Sequence, residues 1–150
     1  MELKVPPVVV FLICLASVFG FYYLLPDYSF DFALRKTLSR VFLVLGALSG
    51  VLGILAFRLK GTTVDPTKPD TASQLVTNGI YQYTRNPMYL GMALILIGAA
   101  IRIGNPAGIL SLVLFVWYMT RFQIRPEEKA LMKIFGEDYE EYLERVRRWL

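Results

Sequence analysis

The sequence predicts an all-α integral membrane protein with about four transmembrane helices, the last two a tight hairpin, followed by C-terminal amphipathic cytoplasmic helices. Three observations carry this reading. The chain is 55% apolar and only 19% charged, against about 45–50% and about a quarter in soluble domains. Its charge is uneven, absent from long stretches and dense at the C-terminal end. Uncharged runs recur that approach or reach the roughly 20 residues needed to cross a bilayer. At 150 residues the chain fits a single membrane-embedded domain over 1–150.

The first span covers roughly residues 5–25. Pro6 and Pro7 fall in its first turn, where missing amide hydrogens cost little. A signal peptide is the rival reading, but the run is longer than a signal core and lacks a clear cleavage site, which favours a retained anchor. The second span, 38–57, carries Gly46, Ser49, Gly50 and Gly53 at three- and four-residue spacing, a small face suited to close helix approach. Residues 61–86 form a polar loop rich in Thr, Asp, Pro, Asn and Gly, including Thr62, Thr63, Asp65, Pro66, Lys68, Pro69 and Asp70. A loop of that length is often functional. Spans three and four, 87–103 and 106–121, each start with proline and turn at Arg102, Gly104 and Asn105. Their apolar cores are short, so they span by recruiting flanking residues; a re-entrant pair is the alternative.

Residues 126–148 read as two amphipathic helices. Ala130, Leu131, Ile134 and Phe135 mark the first, Gly136 caps it, and Tyr139, Tyr142, Leu143 and Val146 line the second. Trp149 suits a membrane interface. Four spans put both termini, the loop and the C-terminal helices on one side. That side receives Lys4, Arg58, Lys60, Lys68, Arg85, Arg121, Arg125 and the basic end, while the other receives Arg35, Lys36, Arg40 and Arg102. The excess places that side in the cytoplasm.

The +4 net charge is better read as bilayer orientation than as a nucleic-acid footprint, because no basic stripe is interleaved with exposed aromatics. The chain has no histidine, so the commonest general base and zinc ligand is missing, and no metal site is expected. The single cysteine, Cys14, lies in an apolar run and reads as small lipid-facing packing.

Two constellations can carry chemistry. The first is 75–91, where Gly79 permits an unusual turn, Pro87 opens a helix, and Tyr81, Tyr83 and Tyr89 offer rings and hydroxyls beside Arg85. Such a pocket suits a ligand with a ring and a carboxylate; an aromatic belt with an interfacial arginine is the plainer alternative. The second is 121–128, with Arg121 and Arg125 four apart and Glu127 and Glu128 in the first turn of a helix starting at Pro126. The arginines can receive an anionic head group or mark the cytoplasmic edge. The acids can bind ribose hydroxyls or merely complement a helix dipole.

Together these motifs resemble a family. Leu75 to Gly79, Tyr81, Arg85-Asn86-Pro87-x-Tyr89-x-Gly91, Glu127-Glu128, Phe135-Gly136, Tyr139, Tyr142 and Val146 are similar in order and spacing to the isoprenylcysteine carboxyl methyltransferase and phospholipid methyltransferase superfamily, over roughly residues 61–147. The resemblance implies S-adenosylmethionine as methyl donor, with contacts at Gln74, Leu75, Val76, Tyr81, Asn86, Pro87, Met88, Tyr89 and Glu127. It implies a lipophilic acceptor bound by Arg121 and Gln123, and catalytic roles for Arg125 and Glu128. Two departures stand out: Asn86 replaces a common histidine, and Gln123 aligns with a substrate-binding arginine, with Arg125 two residues on. A carboxylate or thiolate acceptor needs no strong base, in keeping with the missing histidine; an amine acceptor must lose a proton, for which Glu128 is the candidate. Phospholipid amine or thiol methylation are thus alternatives to carboxyl methylation. A non-enzymatic helical subunit, packing on a partner through its glycine face, is the alternative from another class. Oligomeric state is not legible.

Overall fold

The structure, a computed structural model, describes residues 3–61 and 74–150. The loop residues from Thr62 through Asp70, and on to 73, lie outside the described residues. Among the described residues six α-helices follow in order: α1 Pro7–Leu24, α2 Arg35–Leu59, α3 Pro87–Ile103, α4 Gly108–Tyr118, α5 Arg125–Phe135 and α6 Glu137–Arg145. No strand occurs among the described residues.

Helices α1 and α2 are long and apolar enough to cross a membrane, and most of their side chains are exposed. Leu12, Ile13, Val44, Leu48 and Val51, with Val113, Leu114 and Trp117 of α4, face outward. Such surface is far larger than an ordinary patch on a water-soluble monomer. Beneath it lies a narrow core of Val10, Val18, Tyr89, Ala93, Leu96, Ala99, Phe115, Met119 and Ile124. Cys14 is only partly exposed and packs against this core, so it is not simply lipid-facing.

The small face of α2 packs on α3, as the spacing predicts. A Cβ on Gly91 would lie 2.6 Å from the Gly46 carbonyl oxygen and 2.9 Å from the Gly50 nitrogen. The Ser49 hydroxyl donates to the Pro87 carbonyl at 2.7 Å, and Ser39 to that of Gly98 at 2.8 Å. Such close backbone approach and buried hydrogen bonds hold the pair. Gly50 itself has nothing within 4 Å of an added Cβ. We therefore expect Gly91→Ala to lower the thermal midpoint in detergent, by overpacking that costs about 1–3 kcal/mol. Gly50→Ala should be neutral or slightly stabilising, because alanine is the better helix former.

At the end away from the polar loop, Gly104 turns the chain between α3 and α4 with φ +73°. A Cβ there would stand 2.3 Å from the Phe30 carbonyl, so only glycine fits. Buried Asn105 donates to the Leu25 carbonyl at 2.8 Å and accepts the Ala107 amide at 3.0 Å. It thereby satisfies orphan groups at the end of α1 and the start of α4.

One expectation is corrected here. The chain does not leave a short span near 121 and begin a new helix at Pro126. Instead α4, a π-helical turn at Met119–Ile124, and α5 run on without a break, with helical φ −66° and ψ −48° at Ile124. Proline at 126 has no amide hydrogen for the Phe122 carbonyl. The ladder widens, with the Arg125 amide bonding the Thr120 carbonyl, and the freed Phe122 oxygen accepts the Leu3 amide at 3.1 Å. Glu127 and Glu128 therefore do not sit at a helix start with free amides, and the dipole explanation for them loses its basis.

Gly136, with φ +51°, ends α5. Helix α6 then folds back, burying Tyr139, Tyr142 and Val146 against Leu75, Leu131, Met132 and Phe135.

Candidate active site

The described part of the polar loop is ordered by its turn chemistry. Gly79 at φ +61° opens a 3-10 turn, Gly79–Gln82, that points Tyr81 inward while Tyr83 stays exposed. The Tyr81 ring meets Phe57 of α2 edge-on at 5.4 Å, and its carbonyl accepts the Tyr142 hydroxyl at 2.7 Å. Burial, with Tyr142 and Glu127 close by, holds the Tyr81 hydroxyl protonated far above its usual range. Pro87 then starts α3, and Tyr89 on its first turn is buried.

Tyr89 points to α5. Its hydroxyl donates to Glu127 Oε1 at 2.6 Å, and Gln123 Nε2 donates to the same oxygen at 2.6 Å. Gln123 reaches Glu127 because residues four apart share a helix face. Burial raises the Glu127 carboxyl to about 7, against the two hydrogen bonds, which favour its charged form; the neighbouring Glu128 adds to the rise.

Glu128 faces a second polar cluster. Its Oε1 accepts Arg85 Nη2 and Arg148 Nε, both at 3.0 Å, and its Oε2 accepts Arg148 Nη2 at 2.7 Å. The Arg85 and Glu128 side chains are mostly buried. The segment carrying Arg148 is stitched across the site: its carbonyl accepts Asn86 Nδ2 at 2.8 Å, the Arg147 carbonyl accepts the Arg85 amide at 3.0 Å, and Trp149 Nε1 donates to Thr120 Oγ1 at 3.2 Å. Trp149 thus docks on the helical rod at Thr120.

Of the residues singled out by sequence, the fold gathers Tyr81, Tyr89 and Gln123 around the Glu127 carboxylate, with Glu128 adjoining it. Leu75 packs on the α6 cluster, Val76 is buried, Met88 packs against α2 at Gly53, and Gln74 is exposed where the described loop resumes. Arg121 and Arg125 are exposed and line a separate groove on the outside of α4, so Arg121 and Gln123 do not share a surface. Arg148 was missed. In sequence it reads as one more charge in a basic tail, and only the Glu127-Glu128 pair hints that a buried acid needs a partner.

A largely desolvated carboxylate with two neutral donors fixed on one oxygen can take hydroxyls or a positive charge on the other. A buried tyrosine ring stands beside it. Among the described residues, no group of three or more Cys, Asp or Glu could hold a metal ion.

The sequence comparisons point the same way. A family model described as phospholipid methyltransferase matches residues 34–138. A protein-S-isoprenylcysteine O-methyltransferase of Saccharomyces cerevisiae is 34% identical over 83% of this chain and 54% of its own length. The human protein of that name is 40% identical over 55% of this chain and 29% of its own. An uncharacterized protein of Haemophilus influenzae is 40% identical over 42% of this chain and all of its own length. The chain spans about half the length of the yeast relatives it matches, and less of the human one. No solved structure matches it.

Proposed function

Because the chain belongs to the phospholipid methyltransferase family, we propose that it transfers a methyl group from S-adenosylmethionine to a lipophilic acceptor at the membrane–cytoplasm boundary. The observation that carries this reading is the Tyr89–Glu127–Gln123 cluster, a hydrogen-bonded carboxylate at one end of an apolar bundle. The bundle crosses the bilayer four times, through α1, α2, α3 and the α4 rod. Its polar end, with the 61–86 loop, α5, α6 and both termini, lies in the cytoplasm.

The residues present fit the donor. It carries a sulfonium charge, a ribose and a ring, and Glu127 supplies a carboxylate for the first two beside Tyr81. Glu127, Tyr89, Gln74, Leu75, Val76, Tyr81, Asn86, Pro87 and Met88 would hold it. When bound, the donor supplies a methyl group already activated for displacement, its sulfur keeping the electron pair of the broken bond. What the protein adds is in-line positioning and exclusion of water. Tyr89 and Gln123 fix the orientation of Glu127, and the packed aromatic wall of Tyr81, Tyr139 and Tyr142 keeps its surroundings dry.

Glu128 serves positioning in this reading, since both of its oxygens are engaged by Arg85 and Arg148. That arrangement favours a carboxylate acceptor, which has no proton to lose, such as the carboxyl end of an isoprenylcysteine-like molecule. An amine acceptor would have to draw on Glu127. Arg121 and Arg125, on the outer groove, take no part. The glycine face, the best feature of a packing subunit, is largely spent on α3 within the chain.

The test is binding of S-adenosylhomocysteine to protein in nanodiscs by calorimetry, followed by incubation of membranes with methyl-labelled donor and isolation of base-labile methyl esters. Absence of binding sinks the donor assignment; label in a phospholipid amine sinks the carboxylate acceptor. The positioning role of Arg148 is tested separately. Arg148→Ala removes one partner of a half-exposed ion cluster and should cost about 1–3 kcal/mol of stability, with a smaller loss of affinity than substitution of Glu127. Arg148→Lys keeps the charge but not the two-pronged contact, so only partial recovery of the thermal midpoint is expected.

A further inference from the structure

The segment after α6 brings a second guanidinium group to Glu128. Arg85 already donates from Nη2 to Glu128 Oε1 at 3.0 Å and from Nη1 to the Leu143 carbonyl at 3.2 Å, and only 11% of its side chain is exposed. Arg148 adds Nε to Oε1 and Nη2 to Oε2, yet its side chain stays 32% exposed. Two guanidinium groups on one carboxylate leave a positive charge uncompensated, which is costly where water is partly excluded unless an anion arrives. Glu127, next in sequence, does not supply it, because its Oε1 is held by Tyr89 and Gln123. Arg148 Nη1 makes no hydrogen bond among the described residues and is not enclosed. We propose that Arg148 recognises a substrate carboxylate at the candidate site, through Nη1.

This inference rests on the methyl-transfer reading, in which two substrates bring a carboxylate: the amino-acid end of the donor, and an acid acceptor. The recognised chemistry is the same for both. Arg148 is well placed for either. Its guanidinium group sits on the residue that adjoins Glu127, and its carbonyl accepts Asn86 Nδ2 at 2.8 Å, next to Pro87 at the start of α3. Its backbone is pinned on both sides, by the Arg147 carbonyl on the Arg85 amide and by Trp149 on Thr120. A guanidinium group already ordered by one carboxylate loses little further freedom in taking another. Its planar fork also matches carboxylate oxygens in geometry as well as charge. Arg58, Lys60 and Arg147 are exposed at the same end of the bundle, without this ordering.

The full chain in nanodiscs is titrated by calorimetry with two pairs of ligands, each differing only in the carboxylate. One pair is S-adenosylhomocysteine and its decarboxylated analogue; the other is N-acetyl-S-farnesylcysteine and its carboxamide. In at least one pair the wild type should prefer the acid by about fivefold, less than a fully buried ionic hydrogen bond gives, because Arg148 is partly exposed. Arg148→Gln should abolish that preference, and the pair that responds identifies which substrate is held. Arg148→Lys keeps the charge without the fork and should retain only part of it. Arg147→Gln removes a neighbouring exposed charge and should change nothing. The ratio within a pair separates recognition from damage, since a disturbed fold weakens both members alike. If Arg148→Gln binds no ligand, Arg148→Lys decides: a reduced preference supports the proposal and an undiminished one overturns it. A preference that survives Arg148→Gln, or that Arg147→Gln lowers equally, also overturns it, the latter by showing a long-range field. Binding of S-adenosylhomocysteine with no acid preference in either pair overturns the role of Arg148 and leaves the donor reading intact. Failure of all these ligands to bind the wild type overturns both.

Discussion

Glu127→Gln should reduce the affinity for S-adenosylhomocysteine and S-adenosylmethionine by roughly ten- to a hundredfold, as loss of a charge-assisted hydrogen bond of about 1.5–3 kcal/mol implies. The wild-type carboxyl, raised by burial to about 7, adds a pH signature. If the ionised form binds the cationic donor, affinity should rise about tenfold from pH 6 to pH 8, with a proton released on binding. Glu127→Gln cannot titrate and should show a flat profile over the same range. Folding stability runs the opposite way. The folded-state value is above the reference of 4.5, so the contribution of the protonated carboxyl is fully present below about 4.5 and is lost as pH rises through about 7. Ligand-free wild-type protein should thus lose thermal stability between those limits relative to Glu127→Gln. Calorimetry in nanodiscs and thermal unfolding across pH measure both. Unchanged affinity in Glu127→Gln would make the carboxylate a structural group only.

The features legible in the sequence are those set by local spacing or by a single backbone requirement. The small face of α2 was readable because three- and four-residue steps put Gly46, Ser49 and Gly53 on one side, where α3 indeed packs. Gly79, Gly104 and Gly136 were readable as turns or caps because their conformations favour glycine. Local spacing left Tyr89 open between a pocket and an aromatic belt; in the structure it is buried and bonded to Glu127. What escaped detection depends on partners distant in sequence. Pro126 looks like a helix start, and whether the helix instead continues depends on what satisfies the Phe122 carbonyl, which is Leu3 from the far end of the chain. The continuous helix also keeps Gln123 and Glu127, four residues apart, on one face, while Arg121 and Arg125 face out. Arg148 pairs with Glu128 only because α6 folds back, and no local pattern encodes that return.

Tyr89→Phe distinguishes a hydroxyl that tunes Glu127 from a ring that merely fills space. The substitution keeps the buried ring and deletes one of the two donors on Glu127 Oε1. That donor favours the charged carboxylate, so its loss should push Glu127 further up. A hydrogen bond to a charged group is worth about 1.5–3 kcal/mol, equivalent to roughly one or two pH units. At pH 7 the ionised fraction, and with it donor affinity, should fall about five- to fiftyfold. The defect should largely disappear by pH 9, where the carboxyl is ionised again. That recovery separates the mechanism from simple damage to the pocket, which raising the pH would not repair, and from Glu127→Gln, which has no proton to lose. Ligand-free Tyr89→Phe should keep a thermal midpoint near wild type at pH 6, where Glu127 is mostly protonated in both. Affinity that is lowered equally at pH 7 and pH 9 would assign Tyr89 to packing or direct ligand contact. Affinity unchanged at both would place it outside the site.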